Sequence, residues 1–241
     1  MTLLLDQIDQ QNAVLAPAFV MVDPFGPKGS RMSLIERILR NPKSECLISF
    51  MYEPIRRFHT TGGYEEPLNE LFGTEAWKEC FDIEDEPERN RFLHDLFTRQ
   101  LKRHGAKYVV TFELYRGNHH IYTLYFTTGD LKGCDLMKSC IWKLDPGQGV
   151  SFRAHAQRDL FSLRGADTDH LARQLRDRFG NQWTPIGTIE DFVKSDATPF
   201  HKGQLRQATL QPLERDSKIE VQRPQGGKGF TSGRGIRLRF K

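Results

Sequence analysis

The stretch Phe19-Val20-Met21-Val22-Asp23-Pro24-Phe25-Gly26-Pro27 constrains this chain more than any other. Four apolar residues in a row, two of them Val, read as a short strand buried on both faces, as in a parallel sheet. Asp23 ends that strand, Pro24 and Pro27 bar its continuation, and Gly26 lets the backbone turn sharply. Ligands of open α/β sheets bind beyond the carboxyl ends of the strands. A carboxylate and an aromatic ring, Asp23 and Phe25, are therefore expected at the rim of a sheet, held by the stiff turn at Pro24. The competing reading is that Asp23 caps the next helix.

The neighbouring elements extend this start. Residues 1–16 read as a polar lead-in. Leu34, Ile35, Ile38 and Leu39 mark one helix face, with Ser30 as its N-cap and Asn41-Pro42 as its end. The apolar run Glu45 to Tyr52 is a second strand, so strand, helix and strand form a βαβ unit whose default is a parallel pair. A helical insertion comes next: Leu68, Leu71, Phe72, Trp77 and Phe81 in short pieces, then a longer helix from Glu88 to His104 closed by Gly105. Tyr108–Tyr115 and Ile121–Phe126, rich in β-branched and aromatic residues, form a hairpin around Arg116-Gly117-Asn118-His119. Adjacent residues of a strand point to opposite faces, so His119 and His120 make a poor metal pair. Leu136, Met137, Cys140, Ile141 and Leu144 mark a helix that stops at Asp145-Pro146-Gly147. A parallel pair followed by a hairpin is the second half of a methyltransferase-like doubly wound sheet, here with a helical insertion. That partial, Rossmann-type domain is assigned to 1–150, and the stretch from 146 to 165 reads as the link to a C-terminal module.

Composition excludes several classes. No apolar run approaches the roughly 20 residues that span a bilayer. The start MTLLLDQIDQ has no basic region and is not a signal peptide. The four cysteines show no CxxC spacing and read as reduced thiols of a cytoplasmic protein. The one Gly-rich run, Gly226 to Gly235, lacks the GK[ST] pattern and a following helix, so it is no phosphate loop.

The net charge of +4 is unevenly placed. From Thr198 to Lys241 there are ten Lys/Arg against three acids, a surplus of seven, which leaves −3 for residues 1–197. A basic C-terminal module on a mildly acidic body suggests a nucleic-acid footprint. Within 165–241, Leu171, Leu175 and Phe179 mark one helix, Trp183-Thr184-Pro185 a corner, and Ile189, Phe192 and Val193 a second helix. Thr198-Pro199 opens a third helix, which Pro212 bends or ends because it removes the bond to the Ala208 carbonyl. Gln204, Gln207 and Gln211 fall on its outer face, with Lys202 and Arg206 on the flank. Ile219–Arg223 and Ile236–Phe240 alternate as strands around the basic Gly-rich loop. Three helices and a hairpin in this order describe a winged helix-turn-helix. Its DNA contacts are expected from Lys202, Gln204, Arg206 and Gln207 on the helix and from Lys228 and Arg234 on the wing.

Taken in order, Val22-Asp23-Pro24-Phe25-Gly26-Pro27-Lys28-Gly29, Cys46 to Tyr52, Leu68-Asn69-Glu70-Leu71-Phe72-Gly73-Thr74, and Met137-Lys138 through Trp142-Lys143 resemble the three-Cys-motif partner (TcmP) family. The C-terminal winged helix is similar to the one that ends that family, and the resemblance covers most of 17–241. It implies a methyltransferase-like fold, S-adenosylmethionine as cofactor, and a partner protein with three cysteines that resembles radical-SAM enzymes and is encoded nearby. Against members of the family, this chain begins near the fourth strand and is expected to lack the half that carries the Gly-rich nucleotide loop. Amino-methyltransferases carry [DN]-P-P-[FYW] at this strand end, where acid and first proline carbonyl grip the amine and the ring stacks on the base. Asp23, Pro24 and Phe25 would take those roles here, in a motif one proline short. The alternative is a non-catalytic DNA-binding or protein-interaction module.

Overall fold

A computed structural model describes residues 2–23, 31–41, 43–51, 64–154, 168–224 and 229–241. The chain is mixed α/β and divides into two units, one of residues 1–130 with 153–155 and the other of 131–152 with 156–241. Among the described residues no helix is long and apolar enough to cross a membrane.

In the first unit, β1 (Phe19–Val22), β2 (Glu45–Phe50), β3 (Tyr108–Arg116), β4 (His119–Thr128) and β5 (Ser151–Ala154) lie in the order β1-β2-β4-β3-β5. β1 and β2 are parallel, with Val20 opposite Cys46 and Val22 opposite Ile48. β4 runs antiparallel to both β2 and β3 and sits between them. Residues 2–10 form α1 (Thr2–Gln10), and α2 (Met32–Leu39) connects the parallel pair and buries Met32, Ile35 and Ile38. The insertion folds as α3 (Glu65–Phe72), a 3₁₀ turn (Ala76–Asp82) and α4 (Glu86–Arg103). Asp85 accepts the Glu88 amide and so caps α4. Leu93, Leu96, Phe97 and Leu101 of α4 enter the core. There Phe50, Phe72, Phe97 and Tyr125 pack mostly edge to face, at centroid distances of 4.7–5.9 Å.

Three expectations are corrected here. β1 is buried on one face only: Val20 and Val22 are in the core, whereas Phe19 and Met21 are 57% and 60% exposed. It lies at the sheet edge, so its alternation marks a half-buried strand. The lead-in is the helix α1: Leu5 and Ile8 pack into the core, and Asp6 and Asp9 accept from the Arg37 guanidinium at 2.8 and 2.7 Å. Within the expected link, Ser151–Ala154 is strand β5, and residues 155–165 fall outside the described residues.

The second unit opens with α5 (Leu131–Leu144), earlier than the expected boundary. Its buried face is Cys134, Lys138, Ile141 and Trp142, not the Leu136–Cys140–Leu144 stripe, which is exposed. Three side chains of α5 reach backbone: Asp135 accepts the Lys202 amide at 2.7 Å, the Trp142 indole donates to the Pro199 carbonyl at 2.8 Å, and Lys138 Nζ donates to three carbonyls, Val193 (2.5 Å), Ser195 (2.6 Å) and Thr198 (3.2 Å).

α6 (Thr168–Phe179) and α7 (Ile186–Lys194) flank the corner at Trp183-Thr184-Pro185, whose Thr184–Pro185 forms the short strand β6. Two of the carbonyls held by Lys138 lie at the end of α7, where unpaired C=O groups favour a cation. β6, β7 (Ile219–Gln222) and β8 (Arg237–Phe240) make an antiparallel sheet in the order β6-β8-β7. The expected continuous third helix is instead a 3₁₀ turn (Lys202–Gln204), a π turn (Arg206–Leu210) and α8 (Gln211–Arg215). Pro212 supplies a reason for the irregularity: it has no N–H for the Ala208 carbonyl, which accepts from the Thr168 hydroxyl of α6 at 3.0 Å.

Candidate nucleic-acid interface and the rim of the sheet

The basic module places its expected contacts in three different settings. Gln207 and Arg234 are exposed. Lys202 and Arg206 are tied to Glu190 of α7, which is only 2% exposed. Arg206 donates to Glu190 through Nε at 3.0 Å and a terminal nitrogen at 2.5 Å, and reaches Ser232 Oγ at 3.5 Å. Burial pushes the Glu190 carboxyl up, but Arg206 and then Lys202 more than offset it and hold it below the usual carboxylate range. Gln204 turns inward and closes a capping box: its Oε1 accepts the His201 amide at 3.0 Å. Its expected place on an outer face fails because the 3₁₀ turn changes the angular spacing of 202–204. Lys228 lies outside the described residues.

Other cations of this unit are engaged within it. Arg223 makes a two-pronged pair with Glu214 at 2.7 and 2.8 Å, and Arg239 and Lys241 share Glu220. Burial lowers the Lys138 ammonium to about 8. The surface helix α6 also presents Arg173, Arg176 and Arg178, all exposed, which no sequence argument singled out.

At the rim of the sheet Asp23 is exposed at the end of β1. Pro24 and Phe25 lie outside the described residues.

A second group of polar side chains stands on the same edge, past the carboxyl end of β2. Phe50 is level with Thr123, so the hairpin outruns β2 toward its tip. Between Leu114 and Tyr115 the register slips, pairing Leu114 with Tyr122 but Tyr115 with His120, which leaves Ile121 as the extra residue of a bulge. A bulge re-aims the side chains beyond it. His120 thereby shares the face of Thr123, and its Nε2 lies 3.0 Å from Thr123 Oγ1. On α4, His94 packs its ring nearly parallel to Tyr125 (11°) and edge-on to Phe50 and His120, with its Nδ1 hydrogen-bonded to the Tyr125 hydroxyl. Tyr115 donates to Glu113 at 2.7 Å and carries the Arg153 guanidinium over its ring at 4.0 Å. Burial, helped by the nearby His120, lowers His94 to about 4; Glu113 and Asp95 oppose that shift. Burial raises Tyr125 well above its ordinary value, and burial together with Glu113 takes Tyr115 to about 12.

Compared with known proteins, the chain matches no protein family, no curated protein and no solved structure.

Proposed function

We propose that this chain binds double-stranded nucleic acid through its second unit, acting as a winged helix-turn-helix. In this reading the first unit is the carboxyl half of a methyltransferase-like sheet of the three-Cys-motif partner type, working with a radical-SAM-like partner. The carrying observation is the second unit's element order together with its sheet order β6-β8-β7. Helix, short strand, two helical segments and a hairpin whose last strand lies centrally put the 202–215 segment and the β7–β8 loop in one module. The Arg206–Glu190 pair, reaching Ser232, ties that segment to the loop. Lys202, Gln207 and Arg234 are the contacts. Arg and Lys take phosphates, while a Gln amide has the donor and acceptor to read an adenine edge.

The methyltransferase-like reading of the first unit draws on the parallel β1–β2 pair and on β4 inserted antiparallel between β2 and β3. S-adenosylmethionine is the cofactor it implies, and the residues present do not fit that group. The chain has no Gly-rich turn after a strand with an acid one strand later to hold a ribose, and Asp23 stands exposed at its strand end. No transfer step is assigned.

Fluorescence anisotropy with a labelled duplex tests the proposal. Arg234→Ala should weaken binding across all sequences by about 3- to 10-fold, and Gln207→Ala should relax base preference, by about 1–3 kcal/mol at one position. Wild-type affinity in both variants would remove the second unit from the interface.

One observation favours a second reading. The apolar edge strand β1 exposes Phe19 and Met21, and among the described residues it pairs only with β2. Such an edge accepts a strand from another chain. Light scattering on wild type and Met21→Lys separates the two: self-association lost on substitution supports an edge-mediated role, and a monomer in both removes self-pairing.

A further inference from the structure

The histidine group of the first unit has a fixed direction of hydrogen bonding. Tyr125 is fully buried and protonated, and its oxygen also takes a hydrogen bond from the Thr98 side chain, one turn along α4 from His94. The phenol's single hydrogen therefore goes to His94 Nδ1. A neutral imidazole with Nδ1 accepting carries its own hydrogen on Nε2. That nitrogen has no hydrogen-bond partner among the described residues. His94 is thus a neutral donor, not a base, because its one free lone pair is already taken.

The surroundings narrow the choice of group that such a donor meets. Glu113 uses one carboxylate oxygen for Tyr115 and lies close enough for its charge to act on His94. Its second oxygen is an acceptor beside the donor. The carboxylate disfavours an anion, and among the described residues no three His, Cys, Asp or Glu are grouped to hold a metal. The walls are aromatic and half-buried: His94 to His120 at 6.2 Å and His120 to Tyr115 at 5.2 Å, both edge to face. A neutral planar ring with an acceptor next to a donor on its edge satisfies all three features.

We propose that His94 and Glu113, framed by His120 and Tyr115 at the hairpin end of the sheet, bind the amino-bearing edge of a nucleobase. His94 Nε2–H donates to the ring nitrogen and Glu113 accepts from the exocyclic amine, with Tyr125 and Thr98 as positioning residues. The site lies within the first unit and stands whether or not the second unit binds nucleic acid.

The test is a titration of the full chain, with ¹⁵N-labelled histidine rings, by adenosine, cytidine and N6,N6-dimethyladenosine. His94 is expected in the Nε2–H form before ligand, and its Nε2 resonance should shift saturably with adenosine or cytidine. The dimethylated ligand, which lacks the donor, should bind at least about 10-fold more weakly, and so should adenosine to His94→Phe, which keeps the ring and loses the donor. Should that variant fail to fold, Glu113→Ala serves, with the same loss expected. An Nδ1–H tautomer, no saturable shift at millimolar nucleoside, or equal binding of the dimethylated ligand overturns the proposal.

Discussion

The two units treat their buried polar groups differently. In the second, almost every such group holds backbone or a partner charge: Lys138 three carbonyls, Glu190 two cations, Arg223 the Glu214 carboxylate. In the first, His94, Tyr125, His120 and Tyr115 face one another as rings, joined by single hydrogen bonds with no ion pair among them. A charge that fastens a fold is committed; a neutral donor with one nitrogen unpartnered is available. The difference teaches where stability and where binding should respond to substitution.

Lys138→Met puts the largest strain on this contrast. It leaves the Val193, Ser195 and Thr198 carbonyls without their donor, and the second unit should lose about 3 kcal/mol in denaturant unfolding. A loss below about 1 kcal/mol would mean that Lys138 is a passenger. Arg206→Ala comes next. It strips the buried Glu190 of its nearer partner but leaves Lys202 at 3.5 Å, so about 2 kcal/mol is expected. Gly149→Ala should cost a similar or slightly smaller amount, because a Cβ there would meet the Trp142 indole at 2.4 Å at a φ of +67°. Arg40→Ala, which breaks only the exposed pair with Glu36, should fall within about 0.5 kcal/mol of wild type.

The pH dependence sharpens the other side. His94 has its pKa lowered from 6.5 to about 4, so between those values the unfolded chain binds the proton and the folded chain does not. Its contribution is full above pH 6.5 and is lost as pH falls toward 4. His94→Phe should flatten that part of the stability profile. An unchanged profile would mean that His94 is solvated rather than held by Tyr125.

Much of the frame is legible in the sequence because period and punctuation agree there. The two apolar strands, the Pro and Gly turns, the 3.6-residue face of α4 and the β-branched hairpin each carry a local signal, and their pairing comes from the short connection and the hairpin rule. Three features are not legible for reasons that lie in packing. The bulge at Ile121 depends on cross-strand register, so alternation alone separates His119 from His120 but cannot place His120 beside Thr123. The 3₁₀ and π turns at 202–210 shift Gln204 off the face that a uniform helix would give it, although Pro212 signals the irregularity. Lys138 does leave a trace: it sits at helical spacing between Cys134 and Ile141, a core position that a lysine occupies only when its charge is satisfied. The apolar Leu136, Cys140 and Leu144 masked that face by offering a more hydrophobic one.

The most direct test of the central claim is the salt dependence of duplex binding by the full chain, compared with Arg234→Ala. If the second unit is a nucleic-acid reader, log Kd rises linearly with log salt, and the variant's slope is smaller by about 1, for one lost phosphate contact. Binding that ignores salt, or an Arg234→Ala slope equal to wild type, would contradict the assignment of the β7–β8 loop to the nucleic-acid backbone.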